Sequence, residues 1–142
     1  MKTLQTLIKL NKNTLDKILV DINKTESEKS SLIDHSQKLE QEVAKEVESY
    51  HGSDYSFMLE KYLDTCRKKQ TRIKAQIDRL QKHIEKRRLE LQEQYAELKK
   101  YEIALQNKQK QEYIKAQKEE TKILDEFGAK QYFYDGMTTS KR

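Results

Sequence analysis

Three histidines, one cysteine and 24 carboxylates are the side chains of this sequence that could do chemistry. His35, His51 and His83 are scattered, and no Cys/His cluster has zinc-binding spacing. The three glycines are isolated, so no phosphate-cradling loop is present. Cys66 falls at an apolar position of a helical repeat, where a small buried hydrophobe is the expectation rather than a nucleophile. His83 flanks that repeat and is expected to be solvated. The carboxylates alternate with lysines at helical spacing, the pattern of surface ion pairs and not of a buried acid/base pair. This reading expects no catalytic residue, metal or cofactor, and sends function to the surfaces.

The element that must carry those surfaces is written in the stretch Leu63 to Leu105. Steps of 3 and 4 land on Leu63, Cys66, Gln70, Ile73, Ile77, Leu80, Ile84, Arg87, Leu91, Gln94, Leu98, Tyr101 and Leu105. Ten of these thirteen are apolar or aromatic, and such a period marks a supercoiling helix that needs a partner. A second seam runs through Leu4, Ile8, Asn11, Leu15, Ile18, Ile22, Thr25, Lys29, Leu32, Ser36, Leu39, Val43, Glu46 and Tyr50. Its middle, at Thr25, Lys29 and Ser36, is polar.

His51-Gly52-Ser53-Asp54 is the break between the two seams. Gly52 suits a helix end, and Ser53 or Asp54 suits the cap of the next helix. So short a connection makes the helices antiparallel neighbours. Placing Tyr50 opposite Tyr55 puts Leu4 opposite Tyr101, and the strong pattern of the second helix fades just after Leu105. The sequence therefore predicts an all-α fold, a long antiparallel two-helix coiled-coil hairpin with the second helix overhanging. The expected bounds are one domain over 1–127, with a helix at about 4–50, a turn at 51–54 and a helix at about 55–127. Gly128 is expected to stop that helix, leaving 128–142 as a partly disordered tail.

Composition agrees: 142 residues, 37% charged and 35% hydrophobic, with no proline, are too polar for a thick core but sufficient for a narrow seam. The net charge of +5 permits nucleic-acid contact without requiring it. Segment 67–88 holds ten Lys/Arg against Asp78 and Glu85. Its expected neighbours Asp21, Glu26, Glu28 and Asp34 are expected to satisfy most of that charge, so no nucleic-acid partner is expected. No apolar run has signal-peptide or membrane-spanning length, and a single cysteine suits a reducing compartment, which predicts a cytoplasmic protein.

Three surfaces differ from a plain solvated coil. At the bend, Tyr50, Tyr55, Phe57, Met58, Leu59 and Tyr62 crowd more aromatic surface than a narrow seam buries, as a cap or a docking patch. The open end carries the overhang 106–126, either a frayed helix end or an arm ordered by a partner. The aromatics Tyr132, Phe133 and Tyr134 either fold back near Leu4 and Leu7 or form a docking tag. Arg87, on the seam itself, reads as a register-setting polar residue.

Four blocks carry a family resemblance: residues 7–17 (LIKLNKNTLDK), 62–73 (YLDTCRKKQTRI), 96–104 (AELKKYEIA) and 118–127 (KEETKILDEF). With the hairpin layout and the overhang, the chain resembles the FliJ family of flagellar export proteins over roughly residues 4–127. That resemblance implies a non-enzymatic part of the flagellar type III export apparatus, similar to the central stalk of rotary ATPases. The implied partners are a hexameric export ATPase, the cytoplasmic domain of the export gate, and export chaperones. The chain itself is then monomeric and meets the membrane through partners only, at the base of the export apparatus. The resemblance implies that Leu4, Leu7, Ile8, Lys108, Lys110, Lys115 and Lys118 face the ATPase at the open end. It also implies that the bend-side patch of Tyr55, Phe57, Met58, Tyr62 and Leu63 faces the gate.

Two alternatives stay open at this point. One is the stalk of a virulence-type secretion system; the other is a structural coiled coil that oligomerises through Leu63–Leu105 and has no role in export. Either way the seam is testable: Leu80→Asp buries a charge and is expected to cost several kcal/mol, abolishing most of the helical circular-dichroism melt. An unchanged melt would mean that the seam is drawn wrongly.

Overall fold

The computed structural model describes residues 2–50 and 56–140, with side chains described for 3–50 and 57–136. His51, the expected turn at Gly52, Ser53 and Asp54, and Tyr55 of the bend patch lie outside the described residues. Two helices account for the fold: α1, Lys2–Ser49, and α2, Ser56–Ser140. Among the described residues there is no strand, and the fold is an all-α antiparallel coiled-coil hairpin. With no proline anywhere, no helix is interrupted.

The chain divides into two compact units, Leu10–Glu97, and Met1–Lys9 with Leu98–Arg142. In Leu10–Glu97 the seam positions face each other. Ile18, Ile22 and Ile84 form one buried cluster, with Leu91 packed against it; Ile84 is fully buried. A second cluster joins Leu39, Cys66 and Ile73, covered by Leu32, Val43, Tyr62 and Ile77. Full burial of such a side chain contributes about 1.5–3 kcal/mol.

Two polar seam positions of α1, Ser36 and Lys29, are paired across the helices. Ser36 Oγ donates to Gln70 Oε1 at 2.7 Å, and Gln70 Nε2 donates to the Ser36 carbonyl at 3.0 Å. Lys29 Nζ donates to Gln81 Oε1 at 2.6 Å. Thr25 turns its hydroxyl back onto the Asp21 carbonyl, 2.8 Å away. Numbering falls along α1 as it rises along α2 in these contacts, which is the antiparallel arrangement. Ser36 meets Gln70 where the expected register placed Lys69, a difference of one residue. Asn11 is the exception: buried, with Oδ1 lacking a hydrogen-bond partner.

In the other unit, Leu4 and Ile8 of α1 and Leu98, Tyr101 and Leu105 of α2 are half-buried. From 106 to 136 the chain is helical and every side chain is exposed. The expected stop at Gly128 is absent, because α2 runs on to Ser140. Neither Gly128 nor Gly136 takes a positive φ. A glycine inside a helix costs about 1 kcal/mol relative to alanine, which weakens a helix without ending it. Nor do the aromatics fold back: Tyr132, Phe133 and Tyr134 are 83%, 67% and 72% exposed on the continuing helix.

Ile84 supplies the test of this packing. Ile84→Ala is expected to cost about 2–5 kcal/mol in urea unfolding, whereas Leu89→Ala on the exposed face stays within about 0.5 kcal/mol. Equal costs would contradict the seam.

Candidate functional site

No catalytic or ligand-binding centre emerges from the packing. Among the described residues no group of His, Cys, Asp and Glu could hold a metal ion. Cys66 is buried at 5% exposure, at the floor of a shallow groove of about 230 Å³ that Glu40, Val43, Leu63, Arg67 and Gln70 also line. Beside it, burial pushes the Tyr62 phenol above its ordinary value of 10, with the contact to Cys66 and the charges of Glu46 and Glu42 adding to the effect. These are packing residues.

The polar centre of the hairpin is Asp21, which the sequence reading named only as one of four neighbours of the basic run. Its Oδ2 lies 2.7 Å from His83 Nε2 and 2.7 Å from Arg87 Nε. Arg87 NH1 also donates to Glu90 Oε2 at 2.7 Å, and Arg88 NH2 donates to Glu26 Oε1 at 2.9 Å. The Asp21 carboxyl is held below its ordinary value of 3.8 by its hydrogen bonds to His83 and Arg87. The hydrogen bonds from Arg87 to Asp21 first and Glu90 second hold its guanidinium charged more firmly than usual, raising it above its ordinary value. Arg87 thus occupies its seam position by carrying its charge out to two carboxylates at the rim.

Two expectations are corrected here. His83 is not merely solvated but joined to Asp21. And α1 does not satisfy most of the basic run: only His83, Arg87 and Arg88 of segment 67–88 reach its carboxylates, at Asp21 and Glu26. Lys68 and Lys82 pair within α2, with Asp64 and Asp78. Glu28 and Asp34 take no part in any ion pair among the described residues. The signal for the network lay in the register: placing Asp21 opposite Ile84 brings His83 and Arg87, on either side of Ile84, within its reach.

The candidate docking residues divide by exposure. At the bend, Phe57 and Met58 are 68% and 64% exposed, and Lys61 Nζ stands 5.2 Å from the centre of the Phe57 ring. Tyr62 and Leu63 are half-buried, and Tyr62 packs on the Leu39–Cys66–Ile73 cluster. In the unit with the overhang, Leu4 and Ile8 are half-buried, Leu7 is exposed, and Lys108, Lys110, Lys115 and Lys118 are all exposed on α2.

Two long helices closed on each other along a narrow seam of heptad period define an antiparallel coiled-coil protein. The model of the FliJ family, described as the flagellar FliJ protein, matches residues 1–136, and the chain belongs to that family. It is thereby a component of the flagellar export apparatus, in a family of non-enzymatic export proteins. Comparison with curated proteins gives no match, and comparison with solved structures gives none either. No helix among the described residues is long and apolar enough to cross a membrane.

The Asp21 network makes stability depend on acid. A carboxyl whose folded value is depressed contributes stability that is complete above its unfolded value and lost as pH falls through the folded one. Urea midpoints are therefore expected to fall as pH drops below about 3.8, and Asp21→Asn should remove part of that slope. An unchanged slope in Asp21→Asn would assign the acid sensitivity elsewhere.

Proposed function

We propose that the chain is a central stalk and adaptor of the flagellar export apparatus, working in the cytoplasm at the base of that apparatus. In this reading the open end, with Leu4, Leu7, Ile8, Lys108, Lys110, Lys115 and Lys118, contacts a hexameric export ATPase. The bend, through Phe57 and Met58 with Tyr55, Tyr62 and Leu63, contacts the export gate, and export chaperones bind the same protein. The chain is a monomer when free and reaches the membrane through these partners.

The observation that carries the reading is the overhang: α2 continues past the paired seam with every side chain from 106 to 136 exposed. Segment 106–126 balances five lysines against five carboxylates. A helix of mixed charge without a continuous apolar face gives weak, exchangeable contacts, steered by charge more than held by burial. Such contacts suit an arm inside a ring that must release and rebind it. The bend differs in kind, because exposed Phe57 and Met58 are the sort of apolar anchors that dominate a stable interface.

Capture separates the two ends. An immobilised hexameric export ATPase is expected to retain the full chain, and deletion of 106–142 to abolish retention while the helical melt of the rest persists. Phe57→Ala with Met58→Ala should leave ATPase capture intact and weaken binding to the export-gate domain about tenfold. Retention of the deletion variant by the ATPase would remove the overhang from the reading.

A further inference from the structure

Among the cations of Leu10–Glu97, which also include Lys12, Lys29, Lys61, Arg67 and Lys74, two sets stand out by partner and spacing. Lys68, Lys82, Arg87 and Arg88 hold carboxylates. Lys17, Lys24, Lys38 and Lys45 on α1 are all exposed and, among the described residues, make no ion pair or hydrogen bond. The same holds for Lys69, Arg72, Arg79 and Lys86 on α2.

Spacing gathers these eight on one side. The α1 row recurs at multiples of seven residues, with Ser31 at the vacant place, and so does the set Arg72, Arg79 and Lys86. Contact between Asp21 and His83 fixes which flank of α1 meets which flank of α2. Lys17 and Lys24 lie four before and three after Asp21; Arg79 and Lys86 lie four before and three after His83. Residues three and four apart share a helix face, so both rows border the flank on which Asp21 meets His83. On the opposite flank, where Glu26 meets Arg88, the same spacing mixes the signs, placing Lys12, Arg67 and Lys74 among Asp16, Glu40, Asp78 and Glu85.

We propose that this flank binds the surface of an anionic lipid bilayer. Clusters of four to eight cations on a helical surface are attracted by anionic headgroups, each adding to the energy. Exposed Val20 stands between Lys17 and Lys24, and exposed Leu89 three residues beyond Lys86, offering apolar contacts that a headgroup layer accepts. Glu28 and Glu42, seven and twenty-one residues beyond Asp21, share its helical position and lie between the rows, exposed. Lipids diffuse, so anionic headgroups gather under the cations and neutral ones under these two acids. A nucleic-acid duplex holds its phosphates in fixed places and would press some of them against the same acids. Supercoiling of pitch about 150 Å turns the flank by roughly 60° over the ~25 Å of the α2 row, a turn that long Lys and Arg stems absorb. The contact is direct, where the resemblance implied membrane contact through partners only. It uses none of the residues assigned to the ATPase or the gate, so the two readings fail separately.

Flotation of the full chain with vesicles tests it, using phosphatidylcholine with and without phosphatidylglycerol at low and high salt. The chain is expected to float only with anionic vesicles at low salt. The variant K24Q/K38Q/R72Q/R79Q, made of exposed unpaired positions, should keep its helical melt and lose vesicle affinity by at least about tenfold. The equally discharged overhang variant K108Q/K110Q/K115Q/K118Q should float like the parent. Absence of flotation with anionic vesicles, equal loss in both variants, or tighter retention by duplex DNA than by vesicles overturns the proposal.

Discussion

A stripe two residues wide must be covered by another stripe, because no third layer exists to bury it. In Leu10–Glu97 that cover is mutual: Ile18 and Ile22 close over Ile84, and Leu39 closes over Cys66 and Ile73. Everything else follows from this narrowness. A thin seam leaves most side chains in water, which is why a chain that is 37% charged can fold into an ordered hairpin. It also leaves no interior in which a substrate could be surrounded.

A seam made only of aliphatic residues would hold two helices together without choosing their alignment. The polar layers supply that choice. Ser36 and Gln70 satisfy each other reciprocally, and a slide of one heptad would set Ser36 against Leu63 or Ile77 with its hydrogen bonds across the seam unmade. Asp21 adds a lock at the rim, where one carboxylate oxygen serves both His83 and Arg87. Buried Asn11, whose Oδ1 lacks a hydrogen-bond partner among the described residues, has no such compensation, and an unmade buried bond costs about 1–3 kcal/mol.

Much of this was legible in the residues. All thirteen positions of the α2 seam are buried or half-buried, since a heptad period reports burial directly. In α1 only Glu46 departs, standing exposed near the helix end. What escaped the sequence depended on finer geometry. The Asp21 network needs a register accurate to about one residue, because each of its side chains reaches diagonally across the seam. Gly128 was misjudged because glycine ends a helix only when a left-handed turn is in place to accept the last carbonyls, and nothing there supplies one. The aromatics after it are adjacent in sequence, so a helix spreads Tyr132, Phe133 and Tyr134 around its circumference instead of gathering them on a docking face.

The exposed length of α2 has a further consequence for how the molecule opens. Amides near Ile73 and Ile84 lie against buried clusters, whereas those of 106–136 lie on a helix with every side chain exposed, and burial is what raises the free energy of local opening. Opening energy is therefore graded along one continuous helix, high beside α1 and low beyond it. Any surface that grips the outer segment must supply the entropy of holding it helical, so part of every contact energy is diverted into ordering. A partner that held this segment would then release it faster than its contact area alone would dictate.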